Sequence, residues 1–126
     1  MSYTNAIKLG PAHAGWLRSL DFYETELDIL EGRLAEVTIK NTALDAREPA
    51  EHFQNQFIVQ RNNIDKLKHA IHEHAHLVYE DIKEHVGRVQ EKRVEEHAKI
   101  EGEVMQFEKV INELRHEFNT YVAKWI

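Results

Sequence analysis

From Trp16 the apolar positions run through Leu20, Tyr23, Leu27, Leu30, Leu34 and Val37 to Asn41 and Leu44, at alternating steps of four and three residues. That spacing keeps every one of these side chains on a single stripe of an α-helix, and no strand reproduces it. "GPAHAGWLRSL" opens this first helix, with Pro11 suited to its first helical position because the missing N–H is not needed there. The stripe ends in "NTALDAREP", where Pro49 suits the first turn of a second helix. A second stripe follows as Phe53, Phe57, Ile64, Leu67, Ile71, Val78, Ile82 and Val89, interrupted by Arg61. The third is Ile100, Val104, Phe107, Ile111, Leu114, Phe118, Tyr121 and Trp125, and Arg93 and His97 continue it toward the N-terminus.

At a rise of 1.5 Å per residue, segments of about 35–40 residues form rods of roughly 50–60 Å. Near-equal rods joined by short connections predict an all-α fold, an antiparallel up-down-up three-helix bundle in which residues 1–126 form one helical-bundle domain. The second reversal rests on Gly87 alone, because "KEHVGRVQEKRVEEH" holds no Pro, Asn or Asp. The alternative is that helices two and three fuse into one long helix, with a four-residue stutter between Arg93 and His97. Its seams would then be buried in an oligomeric coiled coil.

Composition agrees with long helices: 5 Gly and 2 Pro in a chain that is 42% hydrophobic and 30% charged. The absence of cysteine excludes a disulfide framework and any thiolate metal site. No apolar run approaches membrane-spanning length, and "MSYTNAIKLG" lacks the apolar core of a secretory signal, so the expected location is cytoplasmic. A formal charge of −6 without a basic stripe argues against nucleic acid as a partner. The nine histidines complicate that charge, since protonating all of them would reverse its sign.

Four of these histidines fall in "HAIHEHAH". At about 100° per residue, His69, His72 and His76 point roughly opposite Ile64, Ile71 and Val78, which makes a solvated helix face the expectation. His72 and His76, at i and i+4, with His69 one turn before, are secondary surface candidates for a metal ion. His74 flanks the interior and is expected as a hydrogen-bonded boundary residue.

Two short motifs test more specific chemistry. Glu73-x-x-His76 and Glu113-x-x-His116 resemble the core element of ferritin-like di-iron bundles, but in the fold-back arrangement they stand about 22 Å apart along the bundle axis. His72-Glu73-His74-Ala75-His76 matches the zincin pattern, yet an outward-facing pair on a bare bundle has neither a third ligand nor a substrate cleft.

A less conspicuous constellation is the stronger candidate. Asp81 and His85 lie one turn apart near the core side of helix two, and His97 holds a seam position on helix three. His13 begins helix one at the same end of the bundle. His13, Asp81, His85 and His97 thus form a candidate site for a first-row transition metal such as Zn or Fe, with Glu24 available as a bridging carboxylate. The competing reading is a polar bundle end without any cofactor, in which Arg93 pairs with Asp81.

At the opposite end, "EHFQNQFIVQRNN" surrounds two phenylalanines with amides, which hydrogen-bond in both directions. Phe53, Gln54, Gln56, Phe57 and Gln60 are therefore candidates for a partner-binding face. Phe22 and Ile29 on the back of helix one, and Val94, Ala98 and Met105 on the back of helix three, are candidates for a homo-oligomer contact. There is no Gly-rich phosphate loop, no Gly-x-Ser-x-Gly elbow and no cysteine nucleophile, which points away from an enzyme. The function expected is that of a non-enzymatic helical-bundle protein mediating protein–protein interaction or self-association. The alternative is a metal-binding helical bundle using the inter-helical His/Asp cluster.

Overall fold

The computed structural model describes residues 3–6 and 9–125. Its elements are a short strand β1 (Tyr3–Asn5), helix α1 (Leu9–Lys40), helix α2 (Leu44–Glu84), strand β2 (Arg88–Gln90) and helix α3 (Glu91–Trp125). The helices pack on one another as an all-α three-helix bundle, and no helix among the described residues is long and apolar enough to cross a membrane.

The heptad stripes become the core. Leu20, Leu27, Leu30, Leu34 and Val37 from α1 meet Phe53, Phe57, Ile64, Leu67 and Ile71 from α2 and Ile100 to Tyr121 of the α3 stripe. Each such side chain, fully buried, contributes about 1.5–3 kcal/mol. Two bonds fix the helix directions. Tyr121 Oη donates to Ala46 O at 2.9 Å, which sets the end of α3 beside the start of α2. Asn41 Nδ2 donates to Trp125 O at 2.8 Å, which ties the end of α1 to the end of α3.

Helix α2 starts at Leu44, so Pro49 lies in its second turn rather than its first. The earlier start is anchored by Ala46, which is buried and accepts the Tyr121 hydroxyl. Leu44, the last position of the first apolar stripe, is 73% exposed because Ala46 and Ala50 take the inward positions of the new helix. Ile82 departs from expectation in the same way. It is 37% exposed, because the alternation of three and four runs from Val78 to Asp81, which is buried instead. Gln60 likewise holds the inward position beside Arg61. Arg61 itself lies to one side and pairs with Asp28 and Glu31 of α1.

The chain does reverse near Gly87, so α2 and α3 are two helices and not one. His85 N–H bonds Asp81 O at 2.9 Å, and Gly87 N–H reaches back to Ile82 O at 3.0 Å. Val86 and Gly87 both take the left-handed conformation, at φ 53° and 81°. Glycine accepts that readily, whereas a β-branched valine there is strained. The residues after the turn are extended, and β2 pairs antiparallel with β1 in the register Tyr3↔Gln90, Thr4↔Val89 and Asn5↔Arg88. This small sheet was not foreseen from the helical stripes. Beneath it Ala6, Leu9, Val78 and Val89 form an apolar cluster separate from the main core.

Candidate metal centre

Between the two apolar clusters each helix contributes one histidine. Helix α1 passes from Leu9 to Leu20 through His13, α2 from Val78 to Ile71 through His74, and the chain from Val89 to Ile100 through His97. His13 and His74 are buried and His97 is half-buried. One ring nitrogen from each lies within 4.8 Å of the others, the only group of three or more metal-ligating side chains so close among the described residues.

The hydrogen bonds settle which nitrogens face inward. His74 Nε2 lies 2.8 Å from the carbonyl oxygen of Arg93, and a carbonyl only accepts. In a neutral ring Nε2 therefore carries the proton, and Nδ1 presents a lone pair. His13 Nε2 lies 2.8 Å from that Nδ1 and donates to it. A ring N–H donated to a backbone carbonyl is the support that orients metal-bound histidines elsewhere. His97 completes the group with its ring centroid 5.6 Å from that of His13 and 5.9 Å from that of His74. Trp16 covers it at 4.6 Å, and His97 Nδ1 is buried with no hydrogen-bond partner. An unsatisfied buried nitrogen is unusual, and a bound ion is one way to satisfy it.

Burial tunes His13 and His97 toward the neutral, ligating form. Desolvation, with His74 and His97 beside it, lowers the pKa of His13 from 6.5 to about 4. Desolvation, followed by the proximity of His74, also lowers that of His97, and Glu101 partly opposes the shift. The donor set is three imidazoles with no thiolate. Such a set suits zinc, copper, nickel or cobalt in a divalent state, while the hard ions magnesium and calcium require oxygen ligands. Iron sites of the open kind add a carboxylate to two histidines, which fits this triad less well.

His13 and His97 of the sequence-derived set come together here, whereas Asp81 and His85 belong to other contacts. Asp81 lies about 10 Å further along α2 than His74. Its Oδ2 accepts the Gln90 N–H at 3.0 Å, and Arg93 Nε lies 3.3 Å away as an ion pair without hydrogen-bond alignment. Arg93 turns its Nη1 to Glu96 at 2.6 Å, so its charge is shared between two carboxylates, and Glu96 Oε2 lies 3.9 Å from His74 Nε2. His85 caps α2, half-buried, with Nε2 3.9 Å from Glu84 Oε2. Glu24 pairs with Lys68 at 2.6 Å.

His74 replaces Asp81 opposite His97 because the chain turns at His85–Gly87 and then runs extended. Three strand residues cover about 10 Å, roughly twice what three helical residues cover, so α3 pairs with a point deeper along α2. A sequence signal for His74 did exist: the stripe of α2 jumps seven residues from Ile71 to Val78, and the missing step of three lands on His74. Steps of three and four back from Trp16 likewise give His13 and Leu9.

The remaining candidates are dispersed. His69, His72 and His76 are exposed and line a shallow groove with Glu73 and Leu77, with His69 Nε2 3.6 Å from Glu73 Oε2. Phe53, Phe57 and Gln60 are buried within the bundle, which leaves Gln54 and Gln56 as the reachable members of the amide-rich face.

No protein-family model, curated protein or solved structure matches this chain.

Proposed function

We propose that this protein binds one divalent transition-metal ion, zinc foremost, through His13, His74 and His97. The observation that carries this reading is the convergence of three imidazoles, one from each helix, with ring nitrogens within 4.8 Å. The carbonyl of Arg93 supports it by holding His74 Nδ1 as an inward lone pair. A cytoplasmic setting near neutral pH suits the reading, since coordination needs neutral imidazoles. Isothermal titration of zinc into chelator-treated protein tests it. One equivalent should bind, and His97→Ala should weaken binding by more than the roughly 10–100-fold that losing an outer hydrogen-bond partner costs. His72→Ala should leave that affinity unchanged. Equal binding by wild type and His97→Ala contradicts the reading.

A second reading, self-association of a helical interaction module, is favoured by exposed apolar side chains on α1 and α3. Phe22 is 53% and Met105 64% exposed, with Ile29 and Val94 also at the surface. Sedimentation equilibrium of wild type and Phe22→Glu tests it, with a mass that rises with concentration expected for the wild type alone. A concentration-independent monomer rules it out.

A further inference from the structure

We propose that the ion at the histidine layer acts as a clasp, making the order of the β1–β2 end of the bundle depend on metal. This inference rests on the metal-binding reading. Its starting point is the division of the interior into two apolar clusters with the histidines between them. The end cluster consists of Ala6, Leu9, Val78 and Val89, covered by two paired strands of three residues each. A two-stranded sheet of that size is marginal in water, and four small side chains bury little area compared with the main core. The lowest-lying opening of the protein is therefore the release of β1 and the start of α1, through His13, from α2 and β2.

That opening carries His13 away from His74 and breaks the bond at 2.8 Å between them. The other ties at this end run from α2 to the end of β2 and the start of α3: His74 to Arg93 O, and Asp81 to Gln90 and Arg93. They hold α3 in place and leave α1 to depart. An ion ligated by His13, His74 and His97 would join all three helices at this level. Tetrahedral ligand nitrogens at about 2.0–2.1 Å from zinc stand about 3.3 Å apart, so the His13–His74 pair would need to part only slightly to admit it, with the His13 proton moved from Nε2 to Nδ1 to free the ligating lone pair. Because the opened form lacks one ligand, metal stabilises the closed form by mass action.

Hydrogen exchange of the wild-type protein, read by mass spectrometry with and without zinc, tests the clasp, and calorimetry on the same sample gives the zinc affinity. At free zinc about 100 times the dissociation constant, exchange in peptides covering Tyr3–Asn5 and Arg88–Gln90 should slow about 100-fold. Peptides in the middle of the bundle, around Ile64 and Ile111, should change far less. His13→Gln, which removes the ligand that departs, should lose the zinc-dependent slowing. Zinc that binds at one equivalent without slowing exchange at this end, or that slows it equally everywhere, overturns the clasp and leaves the metal-binding reading standing. No zinc binding by calorimetry overturns both.

Discussion

The two ends of the bundle are built on the same heptad stripes and closed by different chemistry. At one end Phe53, Phe57, Phe118 and Tyr121 fill the space with rings 5.2 to 6.4 Å apart, and the Tyr121 hydroxyl has its acceptor in Ala46 O. At the other, the stripe turns polar in all three helices at one level, and the rings are imidazoles. Buried aromatic carbon stabilises the fold directly through the hydrophobic effect and dispersion. Buried imidazoles must be kept neutral and hydrogen-bonded, and here one nitrogen remains without a partner. The aromatic end is a stability element. The histidine layer costs stability that an apolar layer would supply, which is the pattern expected where a site is built into a core.

The largest effect should come from breaking the aromatic end. Phe57 is fully buried, so Phe57→Ala should destabilise the protein by about 3–5 kcal/mol, measured by urea denaturation. Zinc binding at the far end should survive under native conditions, and its loss would show that the two ends are not separable.

The histidine end should respond to pH where the aromatic end does not. In chelator-treated protein the unfolded state binds more protons than the folded one between His13's folded pKa of about 4 and its unfolded value of 6.5. Stability should therefore be fully present above about pH 6.5, fall as the pH drops, and lose on the order of 3 kcal/mol by about pH 4 from this group. The lowered pKa of His97 acts in the same direction, with Glu101 opposing it. Urea midpoints across this range check the sign, and a folded state that gains stability on acidification contradicts it. Bound zinc should deepen the loss, because protons compete for its ligands.

The smallest effect tests the turn that sets the register of the histidine layer. Val86 is 94% exposed at φ 53°, so its side chain contributes little packing while its backbone is strained. Val86→Gly should stabilise by about 0.5–1 kcal/mol, the relief of the left-handed penalty less the entropy that glycine loses on folding. A decrease in the thermal midpoint would contradict this account of the turn.

The helices and the core were legible because a 3.5-residue repeat dictates a buried stripe, and Leu20 to Val37 and Ile100 to Tyr121 lie where the repeat puts them. The site was legible only in part. His13 and His97 were recognised, but their partner depended on the depth at which α3 pairs with α2. That depth was set by three extended residues whose strand partner, β1, is 83 or more residues away in sequence. Helical periodicity carries no information about such a pairing. His74 was also discounted for a local reason: it stands among the exposed His72 and His76, and only the step of three from Ile71 separates it from them. The inward position of Gln60 was hidden in the same way, beside the bulkier Arg61, whereas Asp81 lies on the core side where its spacing put it, in place of Ile82.

The central claim is that three particular imidazoles act as one ligand set. Nitrogen–proton correlation spectra of the histidine rings during a zinc titration test it most directly. Before zinc, His74 should show the tautomer protonated at Nε2, and at one equivalent the signals of His13, His74 and His97 should move together to new positions. Shifts confined to His69, His72 and His76, with the three buried rings unmoved, would contradict the account.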